Sequence, residues 1–400
     1  MSDDKPQEPQ LQQGINPGKG KAIIWTTVVI VVLGLLIFFY WLIWLRFSDS
    51  TDDSYVHGNK VRITSQIEGI VTSVNTDETF LVKEGELIIE LDKTDNTIRL
   101  EYTKTALAET VRQVTEMFLK VEELYAQLQR ANTEVVKAQV DYDNRAALVN
   151  QGGVSKENYI LSELDLDAAK FQVDNLKFQL LQAIAAVQNT TIATHPLVLE
   201  QAANVTQAWV DLARCEIRAA QSGIVAQKAV QVGQHVRPDD LLLAIVPLNQ
   251  MWVYANFKED HLAQVRIGQR VEVVSDIYGS ECVYNGTVTG IAGGTGAVFS
   301  LIPPQNATGN WIKIVQRVPV RIDLDASEIE RFPLRLGLSM HVTVNTKDQH
   351  GARIPPLLKD RPVYFTDVFK DQEAGAEALI AQIIAENTSN PNMTPPEIHL

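Results

Sequence analysis

The chain has 400 residues, enough for two or three modest domains or one extended chain. Its 45% hydrophobic and 21% charged content is that of a folded protein, and a formal net charge of −14 excludes general nucleic-acid binding, which needs a basic face. Only Cys215 and Cys282 are present, which is too few for a stapled scaffold, and neither has metal-ligand spacing. They read as two separate thiols, with one disulfide left open in an oxidising compartment.

The first element is an apolar run from Ala22 to Leu45, 24 residues without a charge. A bilayer core takes about 20 helical residues, so the run predicts a single transmembrane helix. A secretory signal would have a shorter apolar core and a small-residue cleavage site. Trp25 lies near one end, and Tyr40, Trp41 and Trp44 lie near the other, as interfacial anchors do. Lys19 and Lys21 precede the run, and Asp49, Asp52 and Asp53 follow Arg46. The positive-inside rule therefore puts residues 1–21 in the cytoplasm, as a short tail, and everything after about residue 46 outside.

Residues 55–92 read as short strands punctuated by Gly69 and Gly85. Part of this stretch is written twice. "GIVTSVNTDETFLVKEGELIIEL" (69–91) returns as "GIVAQKAVQVGQHVRPDDLLLAIV" (223–246). Gly69-Ile70-Val71 meets Gly223-Ile224-Val225, Val82-Lys83 meets Val236-Arg237, and Glu86-Leu87 meets Asp240-Leu241, all at an offset of 154 without a gap.

Between the copies the texture is helical. From Asn96 to Asn150 there is no Pro or Gly, and Leu100, Leu107, Val114, Val121, Leu128, Val135, Tyr142 and Val149 form one seam of period seven. A companion seam three residues later is mixed: Thr103, Thr110, Met117, Leu124, Ala131, Ala138 and Arg145. This pattern predicts a coiled coil with a narrow contact to one antiparallel partner. "NQGGVSKEN" (150–158) breaks it, with Gly152 and Gly153 as helix stops and Ser155 as the next N-cap. The return leg has its own seam, Leu166, Val173, Leu180 and Val187, then an interruption at 189–196 and a last helix through Trp209. Two legs of similar length, each on the order of 80 Å, make a long helical hairpin over 93–213 that returns the chain to its second β copy. The copies, 55–92 and 214–247, are thus two halves of one split unit.

From Met251 to about 347, short strands separated by Gly, Asn and Pro predict a small barrel. Residues 348–400 are looser, with one helix expected within 371–387 and a flexible tail after it.

The residues that could carry chemistry do not assemble a catalytic set. "IELDKTD" (89–95) loosely matches the hairpin on which lipoyl and biotinyl carriers mount a cofactor, which raises Lys93 as a modification site. In a carrier that lysine leads straight into the second β half. Here a long helical segment follows, and Asp92, Thr94 or Asp95 is better read as a helix start. The seven histidines (57, 195, 235, 261, 341, 350, 399) never adopt metal-protease spacing, and "GGTGAVFS" (293–300) lacks the Lys-Ser/Thr of a P-loop. The chain reads as non-enzymatic, with no cofactor. The exposed hairpin tip is the candidate contact surface, since residues there have no core to fill.

"TDDSYVHGN" (51–59), "VKEGELIIELD" (82–92), "ANFKEDHLAQVRIGQ" (255–269), "DIYG" (276–279), "FSLIPPQNATGNWIKIVQRVPVRI" (299–322) and "LRLGLS" (334–339) carry a resemblance. Over residues 22–347 the chain resembles the membrane fusion proteins, or periplasmic adaptors, of the HlyD/EmrA group, within them the EmrA branch. The resemblance implies an elongated multidomain α+β chain: one N-terminal transmembrane helix, a split lipoyl-like domain, a helical hairpin and a β-barrel. It also implies an adaptor in the inner membrane of a Gram-negative bacterium. Several copies in a ring would bridge a major-facilitator drug:proton antiporter to a TolC-like outer-membrane channel, with no nucleic acid involved. The alternative is an adaptor of a protein secretion system driven by an ABC transporter. In relatives an Arg/Leu/Ser triad at the tip engages the channel. Leu148 and Ser155 stand at two of its positions, whereas the arginine position is Asn144, with Arg145 beside it. Either Arg145 substitutes through a small helix rotation or docking works without it. Lys258, Glu259 and Asp260 are the expected contact to a transporter or a neighbouring adaptor.

Overall fold

The computed structural model describes residues 17–43, 47–299, 315–355 and 362–395. In chain order these form α1 (Pro17–Ile43), β1 (Ser48–Thr51), β2 (Ser54–Gly58), β3 (Val61–Thr64), β4 (Gly69–Val74), β5 (Leu81–Val82) and β6 (Leu87–Leu91). Three helices follow, α2 (Thr94–Val149), α3 (Lys156–Val187) and α4 (Pro196–Ala213), then β7 (Glu216–Arg218), β8 (Gly223–Lys228), β9 (His235–Val236) and β10 (Leu241–Val246). The remainder comprises β11 (Met251–Lys258), α5 (Glu259–Leu262), β12 (Arg270–Ser275), β13 (Val283–Ile291), β14 (Arg317–Leu324), α6 (Ala326–Arg331), β15 (Met340–Asn345) and α7 (Ala376–Asn387). The chain is a multidomain α+β protein of two compact units, Met1–Lys60 with Val246–Val363, and Val61–Ile245 with Tyr364–Leu400.

Helix α1 starts five residues before the predicted span, so 17–21 are helical rather than part of a loose tail. Trp25 and Tyr40 are exposed, at 72% and 61%. The side chains of Ala22, Trp41, Trp44 and Leu45, and residues 1–16, lie outside the described residues. Among the described residues no helix is long and apolar enough to cross a membrane.

The two copies interlock. The strands form two four-stranded sheets, β3-β10-β8-β5 and β7-β6-β4-β9. Each copy lends its short strand to the other's sheet: β5 pairs antiparallel with β8 (Leu81↔Ile224), and β9 pairs with β4 (Gly69↔Val236). The backbone bonds repeat at the offset of 154. Thr79 N donates to Val225 O and Gly233 N to Val71 O, both at 2.8 Å; Gly85 N donates to Ala219 O and Asp239 N to Ser65 O, both at 2.9 Å. The turn carboxylates repeat as well, because Lys83 N donates to Glu86 and Arg237 N to Asp240, both at 2.8 Å. Strands β3 and β7 fit the same offset, so the repeat extends upstream of the glycines to 61 and 215, where the two sequences share little beyond Ile63 and Ile217. Neither half can bury its apolar face alone. Val71, Val82, Ile88, Val225, Val236 and Leu242 close one core between the two sheets.

Two left-handed positions show how the copies diverged. Thr79 (φ 72°) is the partner of Gly233 (φ 83°), and Asp239 (φ 71°) is the partner of Gly85 (φ 79°). The fold needs positive φ at both sites in both copies, and each copy keeps glycine at only one. A side chain in this region costs about 1–2 kcal/mol, most for a β-branched one. Thr79→Gly is therefore expected to stabilise the unit by about 0.5–1 kcal/mol, after the greater freedom of glycine in the unfolded chain is subtracted. Gly85→Ala should destabilise it by about 1 kcal/mol, through backbone strain alone. No atom lies within 4 Å of the added Cβ. Urea midpoints that moved in the same direction for both variants would refute this account.

The hairpin core also departs from expectation. Leu107, Val111, Val114, Phe118, Val121, Leu124 and Leu128 are buried, so the companion seam runs mainly four residues after the first, through Val111 and Phe118. Thr103, Thr110 and Met117 are only half-buried. On a helix the i+4 position lies about 40° from the seam and the i+3 position about 60°, and here the i+4 side chains are also the more apolar. Val135, Tyr142 and Val149 are half-buried, so the seam is fully packed only in its lower half.

That lower half is no simple two-helix contact. Helix α2 packs on α3, on α4 and on α7. The helix expected within 371–387 forms as α7 and, with the start of the tail expected after it, runs along the hairpin. Ile383 and Ile384 are buried in its core and Met393 packs against it; Ala193 N donates to Pro391 O at 3.1 Å, inside the α3–α4 interruption. Their apolar stripe has no visible partner in the local sequence, which is why the segment reads as loose there.

Residues 55–60 fall outside the split unit in which the sequence reading placed them. Strand β2 pairs with β11 (Val56↔Val253) and belongs to the other unit, not to the split one. Its seven-stranded sheet has the order β1-β15-β12-β13-β14-β11-β2. Because β1 and β2 are consecutive in the chain yet sit at opposite edges, residues 48–58 close the sheet into a barrel, and Val56 N donates to Leu338 O at 2.9 Å. Strand alternation fills the interior with Val253, Phe257, Val273, Tyr284, Val288, Ile322 and Val342. Most of the stretch 299–322 lies at residues 300–314, outside the described residues.

Candidate functional site

The hairpin tip is built by a short reversal between two long helices. The backbone N–H groups of Gln151 and Gly153 donate to Leu148 O at 3.1 and 3.0 Å, ending α2. Gly152 turns left-handed (φ 74°), and the Ser155 hydroxyl caps α3 by accepting from Asn158 N at 3.1 Å. Asn144 and Ser155 are exposed, as is Leu148 at 44%. The tip thus presents an apolar side chain and two small polar ones to solvent.

Arg145 is differently placed. Its guanidinium donates to Asn158 O on α3 at 3.0 Å and lies 3.0 Å from the Asp141 carboxylate on its own helix. It ties the two legs together. One turn below, Tyr142 stacks on Tyr159 with centroids 5.4 Å apart, and their hydroxyls are 2.9 Å apart. That hydrogen bond, reinforced by the electrostatic interaction with Tyr159, pushes the Tyr142 phenol up to about 12. Neither brace is visible in the sequence. Tyr142 reads there as one more seam position, and its partner sits on the other helix.

The barrel surface gathers residues that are separate in the sequence. Lys258 ends β11 and precedes the short helix α5; Lys258, Glu259 and Asp260 are all exposed. Beside them, His261 Nδ1 lies 3.0 Å from Asp49, and Arg317 reaches Asp53 at 2.7 Å. His341 bonds Asp52. Three aspartates that read only as the acidic flank of a membrane span therefore pin the barrel's closing strand.

Lys93 sits at the base of the hairpin, 2.6 Å from Glu216 and 3.6 Å from Glu90. The hydrogen bond to Glu216 raises the lysine and lowers the carboxylate from their ordinary values. Asp92 accepts from Thr94 N at 2.9 Å and satisfies one free amide of α2. Cys215 and Cys282 are both buried free thiols. Among the described residues no group of three or more His, Cys, Asp or Glu could hold a metal ion.

This pairing of a helical hairpin with a closed barrel recurs in known proteins. Residues 94–215 match the EMRA alpha-helical hairpin domain family and residues 250–345 the AAEA-like beta-barrel domain family. The chain is 43% identical to the probable multidrug resistance protein EmrK of Escherichia coli (strain K12), over 87% of this chain and 91% of that one. It is 40% identical to the multidrug export protein EmrA of the same organism, over 87% of this chain and 89% of that one. Among solved structures, the periplasmic adaptor protein EmrA aligns at 18% identity over 75% of this chain and 98% of that one, with a TM-score of 0.37. The chain belongs to the EmrA-type membrane fusion proteins, a family of periplasmic adaptors that are structural connectors rather than enzymes.

Proposed function

We propose that this chain is the adaptor of a tripartite multidrug efflux system. In this reading residues 22–45 anchor it as a single pass in the inner membrane of a Gram-negative bacterium, with the N-terminus cytoplasmic and the bulk periplasmic. It bridges a major-facilitator drug:proton antiporter to a TolC-like outer-membrane channel, several copies forming a ring. The observation that carries the reading is the 43% and 40% identity over nearly the whole length of two relatives named for multidrug resistance and export. A hairpin whose outbound helix has 56 residues, about 80 Å long, supports it, because bridging two membranes needs reach. Tip residues Asn144, Leu148 and Ser155 then face the channel, with Arg145 holding the tip's shape.

Affinity purification of the detergent-solubilised full chain, with co-purifying partners identified, tests this directly. A major-facilitator transporter is the expected partner. An ABC transporter in its place would sink the efflux reading in favour of protein secretion. The exposed Lys258 is proposed to contact the transporter or a neighbouring copy. Lys258→Glu is expected to lower transporter recovery by about tenfold, the scale of one charge reversal at an interface. Unchanged recovery and unchanged drug tolerance would remove Lys258 from the contact.

A further inference from the structure

Helix α7 reaches its seat from the other unit. The chain leaves the barrel unit at Val363 and joins the unit of the hairpin at Tyr364. Among the described residues, the last hydrogen bond before this crossing runs from Ile267 N to Ala352 O, at 2.9 Å. The next anchors are Phe365 O, which accepts from Gln221, and Thr366 Oγ1, which donates to Glu84 at 3.0 Å. Residues 353–364 between them, with Ile354 and Val363 exposed, can span up to about 40 Å when extended.

The seat itself is complete but shallow. Ala376, Leu379, Ile380, Ile383 and Ile384 recur at spacings of three and four and give α7 one apolar stripe, which α2 and α4 receive. Arg112 Nε on α2 donates to Asn387 Oδ1 at 3.0 Å, and Ala193 N donates to Pro391 O at 3.1 Å. Of the described residues 364–395, only Ala376, Ile383, Ile384 and Thr388 are buried, and no side chain caps the start of α7. A short element with so few buried residues opens without unfolding the long helices beneath it. Opening bares two matching stripes, one on α7 and one on the hairpin foot, and every copy of the chain carries both.

We propose that residues 364–395 are exchanged between neighbouring copies, each segment seated on the hairpin foot of the next one. The partner is a second copy of this chain, because its seat offers the same stripe, the same Arg112 and the same Ala193 amide. Exchange therefore loses no contact, and the length of 353–364 supplies the reach. Copies held side by side present the neighbouring seat at high effective concentration, and each exchanged segment adds a link between them. The contact is head-to-tail, so it closes when the last copy straps the first. The inference rests on the ring in the proposed function, and is indifferent to which transporter or channel that ring serves.

Two full-length chains with different affinity tags, co-expressed and oxidised in cells with copper phenanthroline, test this. One carries Ala193→Cys and the other Pro391→Cys. The backbone bond between these positions sets their Cα atoms about 5–6 Å apart, within reach of a disulfide. Cys215 and Cys282 are buried, and tagged chains without a new cysteine serve as the blank. Exchange predicts a disulfide-linked pair carrying both tags, and a ladder of linked multimers when one chain carries both substitutions. A chain seated on itself gives no linked pair and closes the disulfide within one chain, and either result overturns the proposal. Circular dichroism melting checks that each variant folds. Arg112→Cys with Asn387→Cys, bridged by a short bis-maleimide, decides the matter should Pro391→Cys loosen the segment. Sedimentation of the unsubstituted chain reads the assembly separately. An oligomer without exchanged links overturns this inference and leaves the ring standing, whereas a monomer overturns both.

Discussion

Phe118→Ala is expected to destabilise the hairpin by about 3–5 kcal/mol, the upper range for a single truncation in a packed core. Phe118 is 1% exposed and belongs to the buried apolar cluster that α2 forms with α3, α4 and α7. Removing the ring leaves a cavity that long, continuous helices cannot collapse around, because each is fixed above and below by further packed turns. Leu119, its neighbour in sequence, is 51% exposed, and Leu119→Ala should change stability by no more than about 0.5 kcal/mol. Urea unfolding followed by far-ultraviolet circular dichroism measures both. The contrast tests the register itself. A companion seam at the i+3 positions would instead make Met117→Ala the costly change and Phe118→Ala mild.

The second large effect is functional. Leu148→Asp with Ser155→Asp is expected to abolish cross-linking to the outer-membrane channel and to remove drug tolerance, while transporter recovery stays at the wild-type level. Two features keep the fold intact in this double variant. Aspartate caps a helix as well as serine does, so α3 keeps its first acceptor, and Leu148 already faces solvent. Two new carboxylates at an apolar contact would be buried without partners, which a docking interface does not tolerate. Loss of transporter recovery as well would mean a damaged hairpin rather than a lost contact. Retained cross-linking would show that the channel does not use these residues. Arg145 is expected to behave differently: because it already bonds Asn158 O and Asp141, Arg145→Ala should loosen the tip and weaken docking only in part.

Much of this chain is legible without coordinates because its strongest signals are local. A charge-free run, a seven-residue apolar period, a Gly-Gly break and a gapless repeat at 154 residues are each written in consecutive sequence. They determine the helices, the reversal between them, and the kinship of the two β copies. Periodicity alone could not say which side of α2 completes the seam. That side is chosen by where α3, α4 and α7 lie, and none of those positions is encoded within α2.

Tertiary structure decided everything that depends on pairing across long separations. Strand exchange between the copies, closure of the barrel by residues 48–58, and seating of 376–393 on the hairpin bring together segments far apart in sequence. A hydrogen-bonded edge or an apolar stripe states that a partner is needed without stating which one. The same holds for the sites. Counting from the turn places Leu148 and Ser155 at the tip, whereas the Arg145 brace and the Tyr142–Tyr159 clasp exist only once distant residues meet. The sequence alone therefore determined the elements and the repeat, because those follow from local spacing. Only the tertiary structure decided the partners, because a partner is fixed by the free energy of burying one surface against another.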